Sequence, residues 1–171
     1  KKEIMKNDIP GIIITGGEPC RTGIVRYLSG ILKKNGKNVK VTTNGTLINE
    51  NNAGLLKEYN IDEIQVSIHS INEEINDSMT GKNGSLKKIL RGIHILEKYN
   101  IPYTTKATIT DENVGSIKAL YNYLSNLTVE KMKFTEVYYM GAAIERVKKP
   151  SILELKDLRA FFDKISDKRV V

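Results

Sequence analysis

Four consecutive residues, Gly16-Gly17-Glu18-Pro19, are the stretch of this sequence best suited to chemistry. They follow a short aliphatic run, residues 11–14, of the kind that forms a buried strand. Two glycines there let the backbone approach a ligand closely or take a positive φ. Glu18 places a carboxylate beside them, and Pro19 suits the first turn of a helix, where its missing N–H costs nothing. Such a turn offers backbone acceptors together with a carboxylate, which suits a positively charged amine. A phosphate loop would instead want N–H donors and a lysine, and no lysine follows. The alternative is a tight strand-to-helix turn with a solvated glutamate.

The other chemistry-bearing residues also fall where strands are expected to end. Asn44-Gly45-Thr46 follows a second β-branched run, Ser67, His69 and Ser70 a third, and Thr108 and Thr110 a fourth. Glu136, Tyr138 and Gly141 close a fifth. Glu136 and Tyr138 are two apart, so they share one strand face, either that of the ligand or that of the outer helices. A buried glutamate would need a partner, which favours the ligand side. His69 is either a ligand contact or a hydrogen-bonded structural residue, and His94 reads as structural. Lys106 is the one lysine suited to a Schiff base. No residue stands out as a general acid or base. Cys20 is the sole cysteine, so no intrachain disulfide and no cysteine-based metal site can form within this sequence. A thiolate would gain from a helix's first turn, but a packed thiol is the expected reading.

The elements that must position these residues alternate regularly. Strands are expected at residues 11–14, 39–43, 63–68, 103–109 and 132–138. Helices are expected at 21–35, 49–59 and 85–100, then one capped by Asp111 or Asn113 and striped by Ile117, Leu120, Leu124 and Leu127, and a last one at 151–166. In that last helix Ile152, Leu155, Leu158, Phe162 and Ile165 are expected to face inward. Five strand–helix units in succession argue for an α/β fold with parallel strands, either an open sheet or a barrel. In both, ligands lie at the C-terminal ends of the strands. No linker or low-complexity tract interrupts residues 1–171, so a single domain is expected.

Composition adds bounds. The 171 residues are 40% hydrophobic and 27% charged, ordinary for a globular protein. Lys and Arg number 27 against 20 Asp and Glu, a net charge of +7. The excess is spread and lacks aromatic interleaving, so a solvated basic surface is expected and nucleic acid is not. No apolar run approaches the roughly 20 residues of a membrane helix. Residues 1–6 are polar and basic without a secretory pattern, so a cytoplasmic protein is expected.

Taken in order, these motifs resemble the radical S-adenosylmethionine family. Ile13-Ile14-Thr15-Gly16-Gly17-Glu18-Pro19 is similar to its strand ending in GGEP, and Thr43-Asn44-Gly45 to its TNG turn. Ile64 to Ser70 resembles its "vSiD" strand, with His69 in place of the usual Asp. Residues 76–86 resemble its "hDxxRGxxGsf" segment, with Thr80 in place of Arg. Residues 108–113 resemble its "vTxxN" strand end, and Met140-Gly141-Ala142 its "xGRa" turn without the Arg.

The resemblance implies a partial (β/α) TIM-like barrel of about five parallel strand–helix units. It is closest to the peptide and protein maturases with a SPASM extension, including anaerobic sulfatase maturases. It implies S-adenosylmethionine as cofactor, contacted by Gly16, Gly17, Glu18, Pro19, Asn44, Ser67, His69, Thr108 and Tyr138. It also implies a 4Fe-4S cluster on a CxxxCxxC segment that this sequence does not contain, so this piece alone is expected to be inactive. A peptide or protein substrate is implied, and exposed barrel edges suggest self-association. The competing readings are an aldolase-like α/β barrel and a non-catalytic binding domain.

Overall fold

The structure, a computed structural model, describes residues 9–21, 23–137 and 147–171. Five parallel strands alternate with helices along it. The strands are β1 (Gly11–Ile14), β2 (Asn38–Thr43), β3 (Glu63–Ser67), β4 (Tyr103–Ile109) and β5 (Lys131–Glu136). The helices are α1 (Ile24–Lys34), α2 (Glu50–Glu58), α3 (Glu73–Thr80), α4 (Ser85–Lys98), α5 (Ile117–Ser125) and α6 (Ile152–Phe162). The chain divides into two compact units: one runs to Val66 and includes Lys88–Tyr103, the other holds Ser67–Lys87 and Thr104–Val171.

In the first unit β1 pairs with β2, and β2 with β3, so that Ile14 lies opposite Val41 and Val41 opposite Ile64. The two-residue period of a strand then separates two faces. Ile14, Val39, Val41, Thr43, Ile64 and Val66 are buried. Ile13 and Lys40 stand on the opposite face, Lys40 ion-paired with Glu63 at 2.5 Å. Ile13 is 61% exposed, so β1 is not buried on both faces as its unbroken aliphatic run suggested.

Helix α1 begins at Ile24, later than expected, because Pro19–Arg21 winds a 3-10 turn first, closed by the Arg21 N–H on the Glu18 carbonyl (3.0 Å). Helix α2 has a reciprocal cap: the Asn49 side chain accepts from the Asn52 N–H, and the Asn52 side chain accepts from the Asn49 N–H. Gly45 and Gly92 let the turn after β2 approach α4. A Cβ on Gly92 would lie 2.5 Å from the Gly45 carbonyl oxygen, and one on Gly45 2.8 Å from Val66.

In the second unit β4 pairs with β5, Thr108 opposite Thr135. Helix α3 was not foreseen. Its buried side chains are Asn76 and Asp77, so no apolar stripe announces it. Asn72 caps its start, and Gly81, at φ +66°, ends it. Asn113, expected as a helix cap, makes no capping bond; a 3-10 turn, Val114–Ser116, precedes α5.

Helix α6 is capped by Ser151 and Glu154, but of its residues only Leu158 is fully buried, and Ile152 is 73% exposed. The inward stripe fails at its first turn because α6 packs through its other end, where Phe161 and Phe162 meet Tyr121, and Phe162 meets Phe134. Beyond it, Val170 bridges Met132 in parallel, and the Val171 N–H reaches the Met132 carbonyl at 2.9 Å, which adds a short strand-like pairing to β5.

Candidate functional site

In the first unit the chain leaves β1 through Gly16 at φ +93° and Gly17 at φ +50°. Nothing lies within 4 Å of a Cβ built on either, so their left-handed backbone, and not crowding, is what calls for glycine. The Gly16 and Gly17 carbonyls accept no hydrogen bond from the described residues. Pro19 is buried behind them.

The Glu18 carboxylate turns toward the end of β2. Its Oε1 accepts the Cys20 N–H at 3.0 Å and the Thr43 hydroxyl at 2.5 Å, and its Oε2 accepts the Asn44 N–H at 2.8 Å. The Cys20 thiol also hydrogen-bonds this carboxylate, so most of its roughly four acceptor positions are taken up within the turn. The Asn44 Oδ1 accepts from both the N–H and the hydroxyl of Thr46, at 3.0 and 2.6 Å, and so shapes its own turn. The turn thus joins a half-buried carboxylate to two glycine carbonyls that accept no bond from the described residues. That arrangement fits an ammonium group and repels a phosphate.

Cys20 lies in this turn, half-buried. Burial pushes its thiol up to about 11; a Thr43 hydrogen bond acts against this, while the Glu18 charge adds to it. It is a thiol at neutral pH, and any gain from a helix start does not prevail. Three thiolates are needed for the implied cluster and this chain has one cysteine. Among the described residues no group of three His, Cys, Asp or Glu could hold a metal. The residues present do not fit the cluster.

In the second unit the neighbourhood of His69 is built by two buried asparagines, Asn76 and Asn113, and the half-buried Thr108. The His69 N–H donates to Asn76 Oδ1 (3.1 Å), and the Asn113 side-chain amide donates to the carbonyls of His69 and Thr108 (both 2.9 Å). The Thr108 N–H donates to His69 Nδ1 at 3.2 Å. Burial, and then the Lys106 charge, hold the His69 pKa below its ordinary value.

Asn76 also donates to Ser85 Oγ (2.9 Å), and Ser85 donates to Asp77 Oδ1 (2.7 Å). Asp77 accepts the Gly84 and Leu86 N–H groups as well, so a carboxylate from α3 serves the start of α4. The Ser85 hydroxyl, followed by these backbone bonds, holds the Asp77 pKa below the usual carboxylate value. The Thr80 hydroxyl donates to the Asp77 carbonyl and lies 2.8 Å from Ser85 Oγ.

Ser67 ends β3 half-buried. Thr108 shares a face of β4 with Lys106, in register with Lys133 and Thr135. Glu136 lies on the other face with Met132 and Phe134, opposite Ile109. It is exposed and edges a cavity of about 660 Å³ between β5 and α6. It is therefore not the buried ligand-side glutamate that its position suggested. Tyr138 and Met140-Gly141-Ala142 lie outside the described residues.

Sequence reasoning passed over the supporting roles of Thr43, Asn76, Asp77 and Asn113. For Thr43 and Asn113 the available signal was a Thr or Asn at or just past a strand end; Asn76 and Asp77 lie inside α3.

Parallel strands alternating with helices, with a glycine-rich turn and a carboxylate after the first strand, define an α/β protein of successive strand–helix units. The chain belongs to the radical SAM superfamily, whose sequence profile matches residues 1–124. That family works with S-adenosylmethionine and a 4Fe-4S cluster.

The chain is 30% identical over 145 residues to the Fe-coproporphyrin III synthase of Methanosarcina barkeri, covering 85% of this chain and 36% of that protein. It is 31% identical over 143 residues to a probable GTP 3',8-cyclase of Sulfolobus acidocaldarius, covering 82% and 45%. It thus spans less than half the length of these relatives. In fold it is similar to Streptococcus suis SuiB bound to S-adenosylmethionine, with a TM-score of 0.78 at 16% identity over 95% of this chain and 38% of that one. SuiB bound to its precursor peptide SuiA gives a TM-score of 0.76 over 90% and 34%. The partial-barrel fold expected from the motifs is the fold found.

Proposed function

We propose that this chain is the S-adenosylmethionine-holding part of a radical SAM enzyme. The observation that carries the proposal is the Glu18 turn. Its carboxylate is oriented by Cys20, Thr43 and Asn44 and follows directly in sequence on Gly16 and Gly17, whose carbonyls accept no bond from the described residues. Together these acceptors would bind the ammonium group of the methionine moiety. Held by Gly16, Gly17 and Glu18, the cofactor would supply hydrogen-abstraction chemistry when bound, while the protein binds and orients it.

The remaining residues bind and position. Asn44 keeps its turn in place to support the pocket, and Pro19 backs the glycine turn. Ser67, His69 and Thr108 would present polar groups to the cofactor carboxylate or ribose. No described residue is assigned a proton-transfer role.

A peptide or protein substrate is the proposed target, supported by the likeness in fold to SuiB, which has been seen with a precursor peptide. A tetrapyrrole substrate is the second reading, favoured by the identity to an Fe-coproporphyrin III synthase across 85% of this chain.

Equilibrium binding of S-adenosylmethionine to the full-length, cluster-loaded protein tests the cofactor reading. Glu18→Ala should weaken binding about tenfold or more. Thr43→Val, which removes a support of Glu18 but keeps its carboxylate, should weaken it less. Unchanged affinity in Glu18→Ala would contradict the reading.

A further inference from the structure

In the second unit, strands β4 and β5 turn two chemically different faces outward. Ala107, Ile109, Met132 and Phe134 share one, which meets α6 where Phe134 packs on Phe162. Thr104, Lys106 and Thr108 share the other with Lys131, Lys133 and Thr135. Every side chain that the two strands give this face is a lysine or a threonine. Neither strand supplies an acid to it, because Glu136 lies on the α6 face.

Lys106 stands in the middle of β4, half-buried and directly opposite Lys133. Among the described residues its ammonium makes no hydrogen bond or ion pair. Its charge still acts nearby: after burial, it is what opposes protonation of His69. A half-buried ammonium without a partner loses hydration for no return, and a like charge directly across a strand pair adds to that cost. A bound anion offsets both.

Thr135 lies two residues beyond Lys133 on the same face, half-buried, and its hydroxyl makes no hydrogen bond among the described residues. Paired strands lie about 5 Å apart, and residues of one face about 7 Å apart along a strand. Lys106, Lys133 and Thr135 therefore frame a patch of the size of one carboxylate or phosphate group.

We propose that Lys106, with Lys133 and Thr135, forms an oxyanion site that takes a carboxylate or phosphate of the substrate. The site lies wholly within the second unit. Giving its anion to the substrate rests on the radical SAM reading above and narrows it to acidic substrates. The cofactor is a poor occupant: it carries a sulfonium and an ammonium beside its one carboxylate, so two adjacent lysines repel more charge than they attract.

The test uses the full-length, cluster-loaded protein and two probes, inorganic phosphate and glutarate. Lysine acylation by a water-soluble active ester, read residue by residue by mass spectrometry, should slow at Lys106 by about threefold or more at saturating probe. Sodium chloride of equal ionic strength should not reproduce this, and the exposed Lys131 should be unaffected. Protection by the lower concentration of phosphate or of glutarate tells which oxyanion the site prefers. No protection of Lys106 beyond that of chloride would overturn the inference.

Thermal melts supply the variant arm. The better probe should raise the melting temperature of wild type, of Lys106→Arg and of Lys131→Gln, and should lose at least about half of that shift in Lys106→Gln. An undiminished shift in Lys106→Gln would overturn the site. A fall of about tenfold in S-adenosylmethionine affinity in Lys106→Gln would give the lysine to the cofactor and also overturn it. Failure of the radical SAM reading shows separately, as wild-type protein that does not bind S-adenosylmethionine while Lys106 is still protected by the probe.

Discussion

Glu18 Oε1 lies 2.5 Å from the Thr43 hydroxyl, so the carboxylate after β1 is held by the last residue of β2. Thr43 is buried, and its hydroxyl also accepts the Gly45 N–H at 3.0 Å. One side chain thus fixes both the carboxylate and the glycine turn that follows. Thr43→Val keeps the shape and removes both bonds. We expect a loss of about 1–3 kcal/mol in urea unfolding, while Thr43→Ser recovers most of it. A Thr43→Val variant as stable as wild type would show that the hydroxyl is not needed to build the turn.

The Gly45–Gly92 approach makes a second expectation. A methyl on Gly92 meets the Gly45 carbonyl oxygen, a backbone atom that cannot rotate away. Gly92→Ala would improve helix propensity at an exposed site, yet here it should destabilise by about 1–3 kcal/mol through overpacking. Chemical denaturation decides the sign.

Stability should also depend on His69 through pH. The folded protein resists protonating this ring, while the unfolded chain protonates it near the ordinary value of 6.5. The unfolded state therefore binds more protons in that range, and stability rises with pH. The His69 contribution is fully present above about pH 7.5 and declines as pH falls from there toward the lowered folded pKa. Unfolding free energy measured from pH 8 to about pH 5 should fall more steeply in wild type than in His69→Gln. Parallel curves would contradict the buried, neutral imidazole.

Asp77 gives the opposite assignment of charge with the same direction of effect. Its folded pKa is lowered, so its contribution is present above the ordinary value of 3.8 and lost as pH falls through the folded value. Asp77→Asn should lower the melting temperature at neutral pH and flatten the acid limb below about pH 4. An unchanged acid limb would remove Asp77 from the account.

What the sequence reveals and what it hides have a common cause. Strands β1 to β4 were legible because Val39, Val41, Ile64 and Val66 alternate with polar residues or form short β-branched runs. The glycine turn was legible because Gly16-Gly17-Glu18-Pro19 has few structural uses. Helix α3 was not, because its inward face is Asn76 and Asp77, whose burial is offset by hydrogen bonds to His69, Gly84, Ser85 and Leu86. The same is true of Asn113, whose cap-like position conceals a bridge between His69 and Thr108. For Glu136, a reading of the strand face from the neighbouring strand was needed: only its register with Ile109 shows which side it takes.

The central claim is that the Glu18 turn holds S-adenosylmethionine for radical chemistry. It is tested most directly by incubating the full-length, cluster-loaded and reduced protein with S-adenosylmethionine and measuring 5'-deoxyadenosine and methionine. We expect both products in equal amounts, dependent on reductant, and strongly reduced in a folded, cluster-loaded Glu18→Ala variant. Product formation undiminished in that variant, or none in wild type with its cluster intact, would contradict the account.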